Sequence, residues 1–182
     1  MRYYNEKWNL FLFDVLNSYD PFYADPERLG STEKLSELLV KYQLFQEESL
    51  TTEQLGAVQL FRDSLRFLIL KESDETLVKF LSEYESRAPI TTRLQAAGEG
   101  KFTLIYEQLN KGGLKPLEDR ILAICSHALG RMIVDFGRSR LKSCTSTPCE
   151  EIFVDQSKNG MQRFCSKRCS TRYHVKKHRE QA

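Results

Sequence analysis

The sequence predicts a mainly α-helical protein with one small β-hairpin, built as a helical N-terminal domain followed by a compact C-terminal module. Three observations predict it. Apolar residues recur at helical spacing through most of the first 137 positions. Short strand-like runs interrupt that spacing around residues 90–106. Two close pairs of cysteines then stand in a basic tail. With 182 residues, 41% of them hydrophobic, the chain can bury one sizeable core and carry a small appendage.

Each element has its own signal. Trp8 to Tyr19 carries apolar residues on nearly every side, which predicts a centrally buried helix broken at Asp20-Pro21. Ser31 can cap a second helix with Leu35, Leu38, Leu39 and Tyr42 on one face. Thr51-x-x-Gln54 is a capping-box pattern, and it opens a longer helix with Leu55, Val58, Phe61, Leu65, Leu68 and Ile69. Leu77, Phe80, Leu81 and Tyr84 form a fourth stripe, ended near Pro89. Ile90 to Gln95 and Phe102 to Tyr106 read as two strands about the turn Gly98-Glu99-Gly100. After a loop at Asn110 to Gly113, Pro116 suits a first helical turn. Ile121, Cys125, Ala128, Met132, Ile133 and Phe136 then mark a long amphipathic helix that leads into the cysteine module. The boundary is expected between residues 137 and 138, with no Pro/Ser-rich linker across it.

The cysteines stand as Cys144-x4-Cys149 and Cys165-x3-Cys169. Each close pair can reach one ion, and the loop between the pairs can bring all four sulfurs together. Four thiolates suit zinc, which takes them tetrahedrally at about 2.3 Å and brings no redox chemistry. With every position filled by protein, the expected single zinc is structural. Thr145 to Pro148 makes a knuckle, Ile152 to Val154 a strand and Ser157 to Gly160 a turn. Gln162 to Phe164 could be the returning strand, and Ser166 can cap a helix holding Cys169 in its first turn. Together these features describe a treble-clef-like zinc finger. Cys125 reads as a core residue, and His127, His174 and His178 are not expected to bind metal.

Charge divides the chain. Residues 138–182 hold eleven Lys/Arg against four Asp/Glu, a net +7, while residues 1–137 hold sixteen against twenty-one, a net −5. Such a basic tail is the footprint of a polyanion partner. On the final helix Arg168, Arg172, Lys176 and Arg179 follow steps of four, four and three, giving one basic stripe. Arg163, Lys167, Arg168, Arg172, Lys176, Lys177 and Arg179 are the candidate nucleic-acid contacts. No apolar run approaches the roughly 20 residues that cross a membrane, and no secretory leader is read. An odd cysteine count without secretory context points to reduced thiols and a cytoplasmic protein. There is no phosphate-cradling glycine loop, nucleophile elbow or His-Glu-x-x-His, so the chain is not expected to be an enzyme.

The stretch Cys144 to Arg172 resembles the CGNR zinc finger. The likeness covers both cysteine pairs, Phe153, Asp155, Ser157, Asn159-Gly160, Arg163, Phe164, Ser166 and Arg172. The run that names the family reads Cys169-Ser170-Thr171-Arg172 here, keeping the ligand and the arginine but not the glycine and asparagine. Leu12-Phe13-Asp14-Val15-Leu16-Asn17-Ser18 and the segment Leu35 to Leu44 resemble, more loosely, the helical domain that accompanies this finger in bacterial proteins. The resemblance implies a bacterial transcription regulator, stress-responsive in character, that binds DNA through its finger. Its acidic helical domain would sense an effector, whose identity the residues do not give, or form a homodimer. The alternative is an adaptor in which zinc only staples the C-terminus and the partner is RNA or an acidic protein.

Overall fold

The computed structural model describes residues 6–45, 49–108, 113 and 115–181. The elements run α1 (Glu6–Leu16), α2 (Thr32–Lys41), α3 (Thr52–Lys71), α4 (Asp74–Arg87), β1 (Ile90–Ala96), β2 (Phe102–Gln108) and α5 (Leu117–Phe136). A 3₁₀ turn at Arg138–Arg140 follows, then β3 (Leu141–Ser143), β4 (Ile152–Val154) and α6 (Lys167–Gln181). The loop expected at Asn110 to Gly113 lies, but for Gly113, outside the described residues.

Local chemistry sets the helix starts. Ser31 Oγ accepts the Lys34 N–H at the head of α2. Thr51 and Gln54 exchange both capping-box hydrogen bonds at α3. Ser73 caps α4. Pro116 stands at the cap of α5, one residue ahead of the helix. α1 is shorter than its apolar run predicts, ending at Leu16 rather than Tyr19. The reason is local: Ser18 Oγ donates to the Val15 carbonyl at 2.7 Å, which Tyr19 N–H would need to continue the helix. Tyr19 instead bridges to Glu27 and closes a loop whose rings reach the surface.

α5 is the central helix and packs against α1, α3 and α4. Ile121, Cys125, Ala128, Leu129 and Met132 are buried there with Phe11, Leu12, Val15 and Leu16 of α1 and Phe61 and Leu65 of α3. Burial pushes the Cys125 thiol well above its usual range, as an inert core thiol requires. β1 and β2 form the expected antiparallel hairpin, registered from Ile90 opposite Gln108 to Ala96 opposite Phe102. At its base Tyr106 packs on Trp8 and on His127, whose Nδ1 lies 2.9 Å from Glu85 Oε1.

The C-terminal segment is bolted to this body at named points. Leu141 and Ile152 lie in the same apolar cluster as α1, α3 and α5, and Val154 packs against it. Asn17, just past α1, brackets Ile152 with its amide. Nδ2 donates to the Ile152 carbonyl at 2.9 Å, and Oδ1 accepts the Ile152 N–H at 2.8 Å. Arg66 donates to the carbonyls of Leu16 and Glu150. Arg138 reaches the end of α3, donating to the carbonyls of Leu68 and Glu72 and pairing with Asp74. The Leu68 carbonyl also accepts the Glu72 N–H of the cap, and a cation at this helix end suits the dipole.

Candidate metal centre

The finger is built on a hairpin that the sequence reading placed differently. β4 pairs antiparallel with β3, Leu141 opposite Val154 and Ser143 opposite Ile152. Gln162 to Phe164 forms no strand. Its polar groups are taken elsewhere: Asp155 Oδ2 accepts the Gln162 N–H at 3.0 Å, and the Arg163 carbonyl accepts the Thr145 N–H at 3.0 Å. The first cysteine pair therefore sits in the loop that joins β3 to β4. Cys144 N–H donates to the Glu151 carbonyl and Cys149 N–H to the Ser146 carbonyl, tightening the knuckle between them.

Asp155 organises the return toward the second cysteine pair. Its side chain is fully buried, and both oxygens are used. Oδ1 accepts from the N–H and hydroxyl of Ser157 at 2.9 and 2.6 Å, and Oδ2 accepts from Lys142 Nζ at 2.6 Å. Burial alone would raise this carboxyl. The hydrogen bonds from Lys142, Ser157 and Gln162 outweigh it and hold the group well below the ordinary carboxylate range. Lys142 also donates to the Gly160 carbonyl, and Arg140 to the Asp155 and Ser157 carbonyls. Gly160 takes φ +66 with the Arg140 guanidinium 3.2 Å from where a Cβ would stand, so the turn needs glycine.

The turn delivers Cys165, and α6 delivers Cys169 on its first turn. Ser166 Oγ accepts the Cys169 N–H at 3.4 Å, as a cap would. All four sulfurs lie within 4.8 Å of one another. Cys149 Sγ is 3.8 Å from Cys165 Sγ, which is 3.5 Å from Cys169 Sγ. Four sulfurs about 2.3 Å from one tetrahedral zinc stand about 3.8 Å apart, so the spacing and the donor set both fit the ion. Phe153 and Phe164 wall the cluster from the sides.

Without metal the thiols disagree about their protons. Burial pushes Cys149 up to about 12 and Cys165 higher still. Burial also acts on Cys169, but the Ser166 hydroxyl and the neighbouring thiols outweigh it and lower that group. Arg172 donates to Cys169 Sγ at 3.4 Å. Ligating a divalent ion would require these thiols to give up their protons.

The structure separates the basic candidates into two groups. Lys167, Arg168, Lys176, Lys177 and Arg179 are exposed on α6. Arg172 is expected in their stripe, but its guanidinium lies over the Phe22 ring at 4.2 Å and against Cys169. Arg163 lies over Tyr173 and donates to its hydroxyl at 3.3 Å. Tyr173 stacks near Phe164 beside the cluster, while His174 and His178 are exposed. Arg138, Arg140 and Lys142, part of the basic count of the tail, serve backbone carbonyls and Asp155. A signal for the turn was present as Asp155-x-Ser157 after a strand, an Asx-turn pattern. Nothing local in the sequence pointed from Asn17 to Ile152.

No curated protein matches the chain. Residues 140–182 match the family model described as the CGNR zinc finger. That span takes in both strands of the supporting hairpin, the Asp155 turn, the four cysteines and α6. The C-terminal segment is thus similar to the CGNR zinc finger, and its sulfur cluster has the donors and the dimensions of a site for one structural zinc.

Proposed function

We propose that this finger binds DNA through the phosphates facing α6 and that the protein acts as a transcription regulator. One observation carries the reading: from His174 to Gln181 every residue of α6 is exposed, and its charge is of nearly one sign. Lys176, Lys177 and Arg179 stand there against a single carboxylate, Glu180. Lys176 and Glu180 approach only to 3.9 Å with both side chains mostly in water, a pair that contributes little and leaves the lysine available.

Helix stability accounts for only part of the pattern, since Arg179 in the last turn suits the helix dipole. Lys167 and Arg168 occupy the first turn, where the helix dipole disfavours cations. A helix without an apolar face also gains little from burial. Both features fit a surface laid against a polyanion, and the zinc shell supplies the rigidity that such a helix lacks. Arg172, against Cys169 Sγ, and Lys167 and Arg168, next to Cys169 in sequence, can offset part of the charge of a zinc tetrathiolate, so Lys176, Lys177 and Arg179 are the cleaner test.

Lys176→Ala with Arg179→Ala should weaken duplex binding and reduce the log–log salt slope by up to about 2. Zinc content should stay unchanged, because neither residue touches a sulfur. Binding with the parental affinity and slope would overturn the reading. Selective capture of RNA or of an acidic protein, with no duplex binding, would establish the adaptor in its place. Arg172→Ala is a poor probe, since it disturbs the zinc shell and Phe22 as well as any phosphate.

A further inference from the structure

Beside the finger, the loop from Tyr19 to Arg28 displays aromatic rings at the surface. The loop is closed and stiff. Tyr19 bridges to Glu27, Asp20 N–H donates to the Pro26 carbonyl, and Arg28 N–H donates to the Ser18 carbonyl. Asp20 is buried and its Oδ1 accepts the Phe22 N–H at 2.9 Å, fixing the turn. Arg62, buried on α3, donates to Ser18 Oγ and Glu27 and holds the loop base to the body. On this fixed frame Phe22 and Tyr23 meet edge to face at 5.5 Å and remain 38% and 42% exposed.

Each ring also carries a guanidinium. Arg172 of α6 lies 4.2 Å from the Phe22 centroid, and Arg28 lies 5.1 Å from the Tyr23 centroid. The surface is thus a short ladder of Arg28, Tyr23, Phe22 and Arg172 that runs onto the zinc shell. Two of its carboxylates are engaged, Asp20 as the turn cap and Glu27 with Arg62 at 2.8 Å, while the exposed Asp25 pairs only loosely with Lys34 at 3.7 Å. Exposed rings interleaved with arginines, next to a phosphate-facing helix, match what unpaired bases require. Aromatic faces take bases of any sequence, and guanidinium groups stack on bases and pair with phosphates.

We infer that the nucleic-acid footprint extends from α6 onto this loop and that Phe22 and Tyr23 stack an unpaired base, so that the ligand is DNA with a single-stranded extension beside a duplex. The inference rests on the reading of α6 as a phosphate-binding helix. It adds a division of labour: α6 supplies salt-dependent affinity, and the loop supplies a gain for open bases that salt barely changes.

The test uses the zinc-loaded full chain with a blunt duplex and the same duplex bearing a thymine overhang at either end. The overhang should tighten binding about five- to 150-fold, the range of one stacked base. Tyr23→Ala, whose ring meets Phe22 and Arg28, should abolish that ratio while blunt-duplex affinity, salt slope and zinc content stay parental. Tyr23→Phe should restore the ratio. Lys176→Ala with Arg179→Ala should weaken both probes equally and preserve it. Equal parental affinity for blunt and overhanging DNA, or a ratio untouched by Tyr23→Ala with Phe22→Ala, would overturn the loop's role and leave the reading of α6 standing. Failure of the parent to bind either probe would overturn both.

Discussion

The helical body and the cysteine shell are held together by different physics. The body buries large side chains from α1, α3, α4 and α5 in one continuous cluster, and area removed from water stabilises it without any ligand. The shell has Cys144, Cys149, Cys169 and Phe153 at its centre, with Phe164 and Cys165 partly buried around them. That is too little apolar surface to order a helix as polar as α6. The hairpin β3–β4 lies between the two regimes, with Ile152 facing the body and its neighbour Phe153 facing the metal. Adjacent residues of a strand point to opposite sides, so a three-residue strand is enough to join an apolar core to a metal centre.

The largest expected effect comes from removing the ion. Structural zinc contributes about 10–16 kcal/mol of apparent binding free energy in finger peptides. Cys144→Ser or Cys169→Ser should therefore lose zinc and unfold α6, while Cys125→Ser keeps its metal. Metal analysis with circular dichroism checks this, and equal metal loss in all three variants would break the contrast between the regions.

The two neighbours on β4 sharpen it. Ile152→Ala should cost about 2–5 kcal/mol of global stability, because a 1% exposed side chain is removed from the main cluster. Phe153→Ala should instead lower zinc affinity and leave the thermal transition of the body nearly in place. Paired denaturation and zinc-competition measurements distinguish them, and the same response from both variants would make core and shell one unit.

Asn17→Ala should cost about 1–3 kcal/mol by orphaning the two backbone groups of Ile152. Urea midpoints of parent and variant would register it.

The smallest effect is a pH dependence. The folded-state Asp155 carboxyl titrates below its unfolded value of about 3.9. Its contribution is therefore fully present above that value and is lost as pH falls below it. The stability advantage of the parent over Asp155→Asn should be largest near neutrality and shrink in acid below about pH 4. An advantage that grows toward low pH would contradict the ion-paired assignment.

Much of this was legible in the sequence, for reasons tied to range. Caps at Ser31 and Thr51, the β1–β2 hairpin and the cysteine spacing are local signals, and the structure carries all of them. The end of α1 was misplaced because apolar periodicity continues through Tyr19, while the Ser18 hydroxyl decides the hydrogen bonding. The partner of β4 differs because Gln162 to Phe164 follows the Ser157 to Gly160 turn where a returning strand would stand, and only the buried Asp155 shows where the Gln162 N–H goes. Arg172 was placed in an exposed stripe by helical spacing. Its contact with Phe22 spans 150 positions and has no local trace.

On the function proposed above, zinc rigidifies α6 into a phosphate-binding surface on a body that folds without it. Duplex binding by the zinc-loaded and the chelated protein, measured against salt concentration, tests this most directly. With zinc, log affinity should fall with log salt by about 0.9 for each phosphate neutralised. On chelation that salt-dependent binding should disappear while most of the helical signal of the body remains. A chelated protein that binds duplex DNA with the same affinity and the same slope would contradict the claim.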